Sequence, residues 1–471
     1  MRKNILKNIS YAIGANIISL GLSLILSFFI PKILGVEEYG YWQLYSLIIS
    51  YAGFFHLGMI DGIYLKLGGK RYSEINKELY HTIFVIFMLI ISVCLVIAIG
   101  VFCSLNLSPD NKIVYIASGI AISFVLIYTY FDMIMEATNR IEDSSKLIVF
   151  FKISYFILVI SVFILGYRSY KGMIVADILS KILVAVIAIR RCIDILKADL
   201  GNSRAASLEI VDNTRSGINL MLANIAGMLV TGITRFFIVG NWDMMVFGNI
   251  SIALAIANLL FAFMSTLSVV FFPILRRADA QMTKNIYYPI RTIIVVGLFF
   301  MIGFYYPFKL IIEMWLPQYQ MGLRYMALLF PMVIFESKST LIFNTYLKNY
   351  NEEKAIFKVN IISVGICLVC SGLFASILHN LVLTVVSIVV VLIVKSFLLE
   401  INVCRLIDKS YLLNNLQEVV LSFIFIFISW YIDEFIGVAL YFSAFAVYII
   451  LNKKFVINNI KEFLALFFRK G

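Results

Sequence analysis

The feature that most constrains this chain is a series of apolar stretches, each near 20 residues, that recurs from end to end. A helix of that length crosses about 30 Å of hydrocarbon. In lipid the backbone polar groups must satisfy one another, which a helix does within a single segment. Fourteen such stretches can be placed: 10–31, 41–60, 80–103, 113–136, 147–167, 173–190, 217–239, 244–273, 290–312, 323–346, 354–377, 380–402, 414–432 and 435–452. Charged residues make up 14% of the chain, against about 25% in a water-soluble protein. The first stretch is longer than a signal-peptide core and no small-residue cleavage site follows it, so it reads as a retained span. The fold class is therefore an all-α integral membrane protein of about 14 transmembrane helices.

Lys and Arg orient the spans. Arg2, Lys3, Lys7, Lys66, Lys70, Arg71, Lys77, Arg140, Lys146, Arg190, Arg191, Lys197, Arg204 and Arg215 fall on one side. The same side collects Arg276, Arg277, Lys284, Arg291, Lys348, Lys354, Lys358, Arg405, Lys409, Lys453, Lys454, Lys461, Arg469 and Lys470. Only Lys32, Lys112, Arg168, Lys171 and Arg324 fall on the other, a ratio of roughly 28 to 5, so the first side is cytoplasmic. Both termini then lie inside, which requires an even number of spans: fourteen, or twelve. The net charge of +12 is thus topology, and no nucleic-acid-binding pattern accompanies it. Cys367 and Cys370 have CxxC spacing inside a span with no second pair, which reads as small apolar packing. No cofactor or metal is expected.

Residues 31–71 form the most informative hairpin. A first span ends at Pro31, a turn carries Gly35, Glu37, Glu38 and Gly40, and a second span ends at Asp61-Gly62 before a basic loop. Tyr39-Gly40 and Leu44 recur as Phe247-Gly248 and Ile252 at an offset of 208 residues, equal to six spans. Repeated halves are a transporter signature. The long polar connection 191–216 reads as a hinge between them. The expected organisation is a first bundle over 1–195, a second over 214–410, and two further spans with an amphipathic tail over 411–471. In that tail Val456, Ile460, Phe463 and Phe467 share one helical face, which suits a helix lying in the inner interface.

The stretch PKILGVEEYGYWQLYSLIISYAGFFHLGMIDGIYL resembles the polysaccharide flippases of the MOP exporter superfamily, which handle O-antigen and other lipid-linked oligosaccharides. The pattern is a PKxLGxxxYGxW turn followed by FxxLGxxxG, carried by Pro31, Lys32, Leu34, Gly35, Tyr39, Gly40, Trp42, Phe55, Leu57, Gly58, Asp61 and Gly62. FFPILRR at 271–277 resembles the end of the family's eighth span. The resemblance implies two six-helix bundles related by pseudo-two-fold symmetry, plus two C-terminal helices. It also implies alternating access, and a lipid-pyrophosphate-linked oligosaccharide carried from the inner to the outer leaflet of the bacterial cytoplasmic membrane. Expected partners are that cargo, membrane lipids, and the polymerase and glycosyltransferases of surface polysaccharide synthesis, with the chain itself a monomer and no nucleic acid involved.

Charges within spans are costly, so each needs a reason. Asp177 and Lys181, four apart with the acid first, can neutralise each other. Asp132, Glu136 and Arg140 read as another such ladder and Lys309 as a snorkelling side chain, while Lys395, like Lys152, is open to that reading or to a functional one. Arg235 lies among Asn219, Asn224, Gly227, Thr231, Gly232 and Thr234, a composition that suits a cavity wall. Lys338 lies in the most polar span, with Glu336, Ser337, Ser339, Thr340 and Asn344, beyond a kink expected at Pro331. The candidate cargo-binding set is Arg235, Lys338, Lys152, Glu336, Asn224 and His56; Glu336 and Asp132 are the candidate coupling carboxylates. The other reading of Arg235 and Lys338 is pairing with Glu336 or another carboxylate to hold helices together.

An enzyme is not expected: a polysaccharide polymerase would carry a large external loop, and a glycosyltransferase a DxD motif at the membrane face. A cation-coupled multidrug exporter of the same superfamily is the main alternative, usually with twelve spans and an acidic, aromatic cavity.

Overall fold

The computed structural model describes residues 2–277, 280–409, 414–432 and 434–468, with side chains described outside 2–10, 12–13, 265–280, 410–414, 433–434 and 466–471. Nearly all of this chain is helix. In order, the first elements are α1 (Arg2–Ile33), α2 (Val36–Ser50), α3 (Met59–Leu67), α4 (Lys77–Ser104), α5 (Pro109–Ala137), α6 (Ile141–Ile164), α7 (Tyr170–Arg191), α8 (Ile193–Leu196) and α9 (Ser203–Asn241). They continue as α10 (Met244–Arg277), α11 (Ala280–Ile302), α12 (Tyr305–Trp315), α13 (Gln320–Leu329), α14 (Met332–Lys338), α15 (Asn344–Asn349) and α16 (Glu353–Ser371). The last are α17 (Leu381–Leu406), α18 (Asn414–Tyr431), α19 (Glu434–Leu451) and α20 (Lys453–Phe468).

Ten of the helical segments are long and apolar enough to cross a membrane, and three bent pairs raise that to thirteen. The shorter apolar helix Asn415–Tyr431 falls where the thirteenth span is expected. Together these occupy all fourteen expected positions, and the chain is a multi-pass membrane protein. Starts follow local chemistry: Ser108, followed by Pro109 in the first turn, accepts from the Asn111 N–H at 3.3 Å, and Asn380 accepts from the Leu383 N–H at 3.1 Å. The chain divides into two compact units, Met1–Ile225 and Ala226–Gly471.

In the first unit the core gathers around α5, where Tyr130, Phe131, Ile134 and Met135 are fully buried. The Tyr130 hydroxyl donates to the Tyr80 carbonyl of α4 at 2.7 Å. The second span departs from expectation. It does not run unbroken to Asp61-Gly62 but breaks at Leu57 (φ 50°) and Gly58 (φ 83°) and turns by 62°, leaving Asp61 and Gly62 inside α3. The left-handed Gly58 makes that turn possible. Gly58 and Gly62, one helical turn apart, then meet α9 at backbone distance. A Cβ on Gly62 would collide with the Asn213 backbone, and one on Gly217 would collide with the Gly58 carbonyl. This is the close crossing that small residues four apart allow. Helix α1 likewise continues past Pro31 to Ile33.

The polar connection read as a hinge is mostly helix. Only Cys192 and 197–202 stay outside the helices; Asn202 caps α9 by accepting from the Arg204 N–H at 2.8 Å, and Lys66 of α3 pairs with Glu209 of α9 at 2.6 Å.

In the second unit the tenth span bends by 46° between its halves, at Phe330–Pro331, as the proline predicts, and a π-helical segment Ser339–Phe343 follows α14. The last helices are built into this unit. Phe425 of α18 and Tyr441 of α19 are fully buried, and Phe425 meets the rings of Tyr305, Tyr306 and Tyr441 with centroids 5.4, 6.3 and 5.2 Å away. Helix α20 turns 78° away from α19 and buries Val456 and Asn459 while Lys461 stays exposed. The Phe467 side chain, Arg469 and Lys470 lie outside the described residues, as do the side chains of Arg2, Lys3, Lys7 and of FFPILRR.

Candidate functional site

The first unit holds a buried charged cluster. On α7 the Asp177 carboxylate accepts from the Tyr45 hydroxyl of α2 at 2.7 Å and pairs with Lys181, as their spacing predicts. Lys152 of α6 stands beside this pair. Its ammonium donates to the Ser23 hydroxyl of α1 at 3.1 Å and lies 5.7 Å from the Phe151 ring, with Lys181 5.3 Å from the same ring. Among the described residues no carboxylate lies within ion-pair distance of Lys152. Lys181 takes the Asp177 carboxylate, and Lys152 is left beside the pair with a hydroxyl as its partner. Lys152 does not reach for a helix end; it bonds within the spans. That leaves it suited to an anion, since a lysine recognises phosphate as a point charge.

The other candidates of this unit lie apart from that cluster. His56 is buried at the break between α2 and α3, where its Nδ1 accepts from the Gly58 N–H at 3.2 Å and lies 3.7 Å from Asp61 Oδ2. That bond assigns the neutral ring's proton to Nε2. Asn224 is exposed on α9. Asp132 is half-buried on α5, and its Oδ1 has no hydrogen-bond donor among the described residues.

The ladder Asp132–Glu136–Arg140 does not form. The chain leaves α5 through Asn139 at φ 63°, which turns Arg140 into the start of α6. There Arg140 pairs with Asp143 at 2.8 Å, donates to the Arg191 carbonyl at 3.1 Å and lies over the Tyr72 ring. Glu136 instead accepts from the Ser144 hydroxyl at 3.1 Å. Nearby Asp194 accepts from Tyr72 at 2.7 Å and pairs with Lys77 at 2.8 Å. Burial alone would raise the Asp194 carboxyl, but these two donors outweigh it and hold it below the ordinary carboxylate range.

The second unit holds a larger cluster, which most of the sequence reading missed. Arg291 of α11 pairs with Glu400 of α17 at 2.7 Å and with Glu418 of α18 at 2.9 Å. Lys338 of α14 reaches Glu418 at 2.5 Å and lies 3.9 Å from Glu400. Asn415 accepts from Arg291 at 2.5 Å and from Lys338 at 3.3 Å, and Tyr287 donates to Glu400 at 3.2 Å. The result is a closed ring of two cations and two anions, each 3% exposed or less. Lys338 thus pairs with a carboxylate, though not with Glu336. Glu336 instead takes the Lys395 ammonium on both oxygens at 3.0 Å, so Lys395 is an ion-paired buried residue rather than a snorkelling one. Arg291, placed among the loop cations by its position near a span edge, is almost fully buried. Glu418 carried little signal, because it is a lone acid near the start of an apolar stretch.

Arg235 is half-buried on α9 with its guanidinium 5.6 Å from the Phe247 ring. Next to it Thr234 is buried against Ser371 at 2.9 Å and Cys367 at 3.3 Å, which explains why Cys367 packs rather than ligates. Among the described residues no group of three or more His, Cys, Asp or Glu is arranged to hold a metal.

Helix order, broken spans and paired units can be set beside solved structures. The lipid II flippase MurJ in an inward closed conformation matches with a TM-score of 0.66 at 12% identity, over 96% of this chain and 100% of its own. The fold is that of the MOP-superfamily transporters. An inward-facing multidrug resistance MATE transporter of that superfamily matches with a TM-score of 0.60 at 13% identity, over 84% of this chain and 100% of its own. An outward-facing MATE transporter matches with a TM-score of 0.56 at 13% identity, over 85% and 96%. No family profile and no curated protein sequence matches the chain.

Proposed function

We propose that this protein is a flippase. It moves a lipid-pyrophosphate-linked oligosaccharide repeat unit from the inner to the outer leaflet of the bacterial cytoplasmic membrane by alternating access, for cell-surface polysaccharide synthesis. The observation that carries the reading is Lys152, half-buried among spans beside the Asp177–Lys181 pair with no carboxylate of its own among the described residues. An apolar span holds an uncompensated ammonium at a cost of a few kcal/mol, which an anionic cargo would repay. The flippase likeness covers more of this chain than the multidrug likenesses do, and the cargo in that flippase's name, lipid II, is a lipid.

In this reading Lys152 of the first unit offers its charge to the pyrophosphate while Asn224 and His56 of the same unit offer polar contacts to the sugar, and Arg235 is the candidate cargo cation of the second unit. Lys338 and Glu336, already paired, act on helix packing more than on cargo. Asp132, with its unpartnered oxygen, is the better coupling carboxylate of the two. Both termini lie in the cytoplasm, and the cargo passes to and from polymerase and glycosyltransferase partners. The alternative reading, a cation-coupled multidrug exporter, rests on the MATE likenesses. The two separate on cargo charge. Lys152→Ala and Arg235→Ala, each made at normal expression, are expected to abolish polysaccharide export in a complementation test, and full export by both would remove the cargo-binding role.

A further inference from the structure

The ring in the second unit is closed but unequal. We infer that it is a two-position latch, in which Lys338 seats on Glu418 in the present arrangement and on Glu400 in another, leaving α18 held in the ring by Arg291 alone and so loosened. The inference does not depend on the nature of the cargo.

Three features support it. The first is an empty seat. Glu400 Oε2 is buried and has no hydrogen-bond donor among the described residues, while the Lys338 ammonium stands 3.9 Å away. A displacement of about 1 Å would bring the two into hydrogen-bond range. A buried acceptor left without a donor calls for an explanation, and a second docking position supplies one.

The second feature is a segment able to make the move. Helix α14 is only 7 residues long. It lies between the bend at Phe330–Pro331 and the π-helical turn Ser339–Phe343. Both ends are irregular joints, and π segments recur at functional sites. The third feature is a pivot. Glu336, on the same short helix, is held by Lys395 of α17 through both carboxylate oxygens at 3.0 Å. The last turn of α14 is therefore pinned to α17 by Glu336, and Lys338, two residues on, carries the ammonium that chooses between α17 and α18.

Stability alone gives little reason to keep such a ring, because apolar side chains of the same volume often serve as well or better. A switch needs it, since paired charges give two discrete arrangements rather than a graded slide. Arg291 contacts both carboxylates and stays put, so neither is left uncompensated when Lys338 changes seat.

Hydrogen exchange of the full-length protein in lipid nanodiscs tests the latch. With Glu418→Gln, Lys338 is expected to move to Glu400. Exchange then rises about tenfold or more across 414–431 and stays within about twofold of the parent across 332–338. With Glu400→Gln added, 332–338 loses its protection as well. A plain structural pair predicts instead that Glu418→Gln deprotects both segments together, and that result overturns the latch, as does an unchanged 414–431. Should Glu418→Gln fail to fold, Glu418→Asp keeps the charge and withdraws it by one methylene. It is expected to give the same unequal pattern at smaller size, and an equal rise in both segments overturns the proposal.

Discussion

Replacing Arg291 with Met removes the guanidinium that both ring carboxylates share, while keeping most of its volume. Three contacts go at once: 2.7 Å to Glu400, 2.9 Å to Glu418 and 2.5 Å to Asn415. Lys338 then faces two carboxylates alone, and the ring carries one buried negative charge in excess. Breaking a buried pair by removing one partner costs roughly 3–5 kcal/mol. Tyr287 still donates to Glu400 at 3.2 Å, which places the expected loss toward the lower end of that range. Glu400→Gln added to Arg291→Met restores neutrality and keeps an acceptor for Tyr287. The double variant is therefore expected to recover more than half of the loss. Reversible unfolding of the purified protein in mixed micelles, with SDS as denaturant, measures both values, and the double-mutant cycle gives the coupling directly. An Arg291→Met protein within about 1 kcal/mol of the parent would refute the ring as a site of tightly balanced charge. So would a double variant no more stable than the single.

Other residues give independent checks. Gly62→Ala or Gly217→Ala drives a methyl into opposing backbone, so each is expected to cost about 3 kcal/mol or more and to lower the folded yield, whereas Gly21→Ala, with open space at its Cβ, is expected to be neutral in the same assay. Asp194 has a depressed folded-state pKa, so its pairing stabilises the fold above the ordinary carboxylate value and is lost as pH falls below about 4. Proteolysis near 192–202 is expected to accelerate on acidification in the parent and to lose that pH dependence in Asp194→Asn. Phe425→Ala strips the ring that three tyrosines pack against and is expected to cost about 3–5 kcal/mol, read as loosening of 414–451 in hydrogen exchange.

What the sequence revealed follows from the range of the physics involved. Spans are local, so apolar length located ten of them outright and three more as bent pairs, with a shorter apolar helix at the thirteenth position, and the 46° bend was legible because Pro331 acts on its own helix. The 62° break was not, because the left-handed Leu57 and Gly58 make sense only once Gly62 and Gly217 are seen against each other. The Asp177–Lys181 pair was legible at four-residue spacing. The partners of Lys338 were not, since Glu400 and Glu418 arrive from helices 62 and 80 residues further on. Arg291 was misjudged for a related reason: the expected span began at 290, whereas α11 starts at Ala280 and carries Arg291 near its middle, where packing against other helices buries it. Arg140 failed in the opposite way, because helical spacing was carried past Asn139, where the chain turns.

The account rests on this protein carrying a lipid with an anionic head across a bilayer. The direct measurement is leaflet exchange of a labelled lipid-pyrophosphate oligosaccharide in vesicles that hold the purified protein. The account predicts protein-dependent translocation, lost when Lys152 and Arg235 are both replaced by Ala in a folded protein. Exchange no faster than in protein-free vesicles, or equally fast in the double variant, would contradict it.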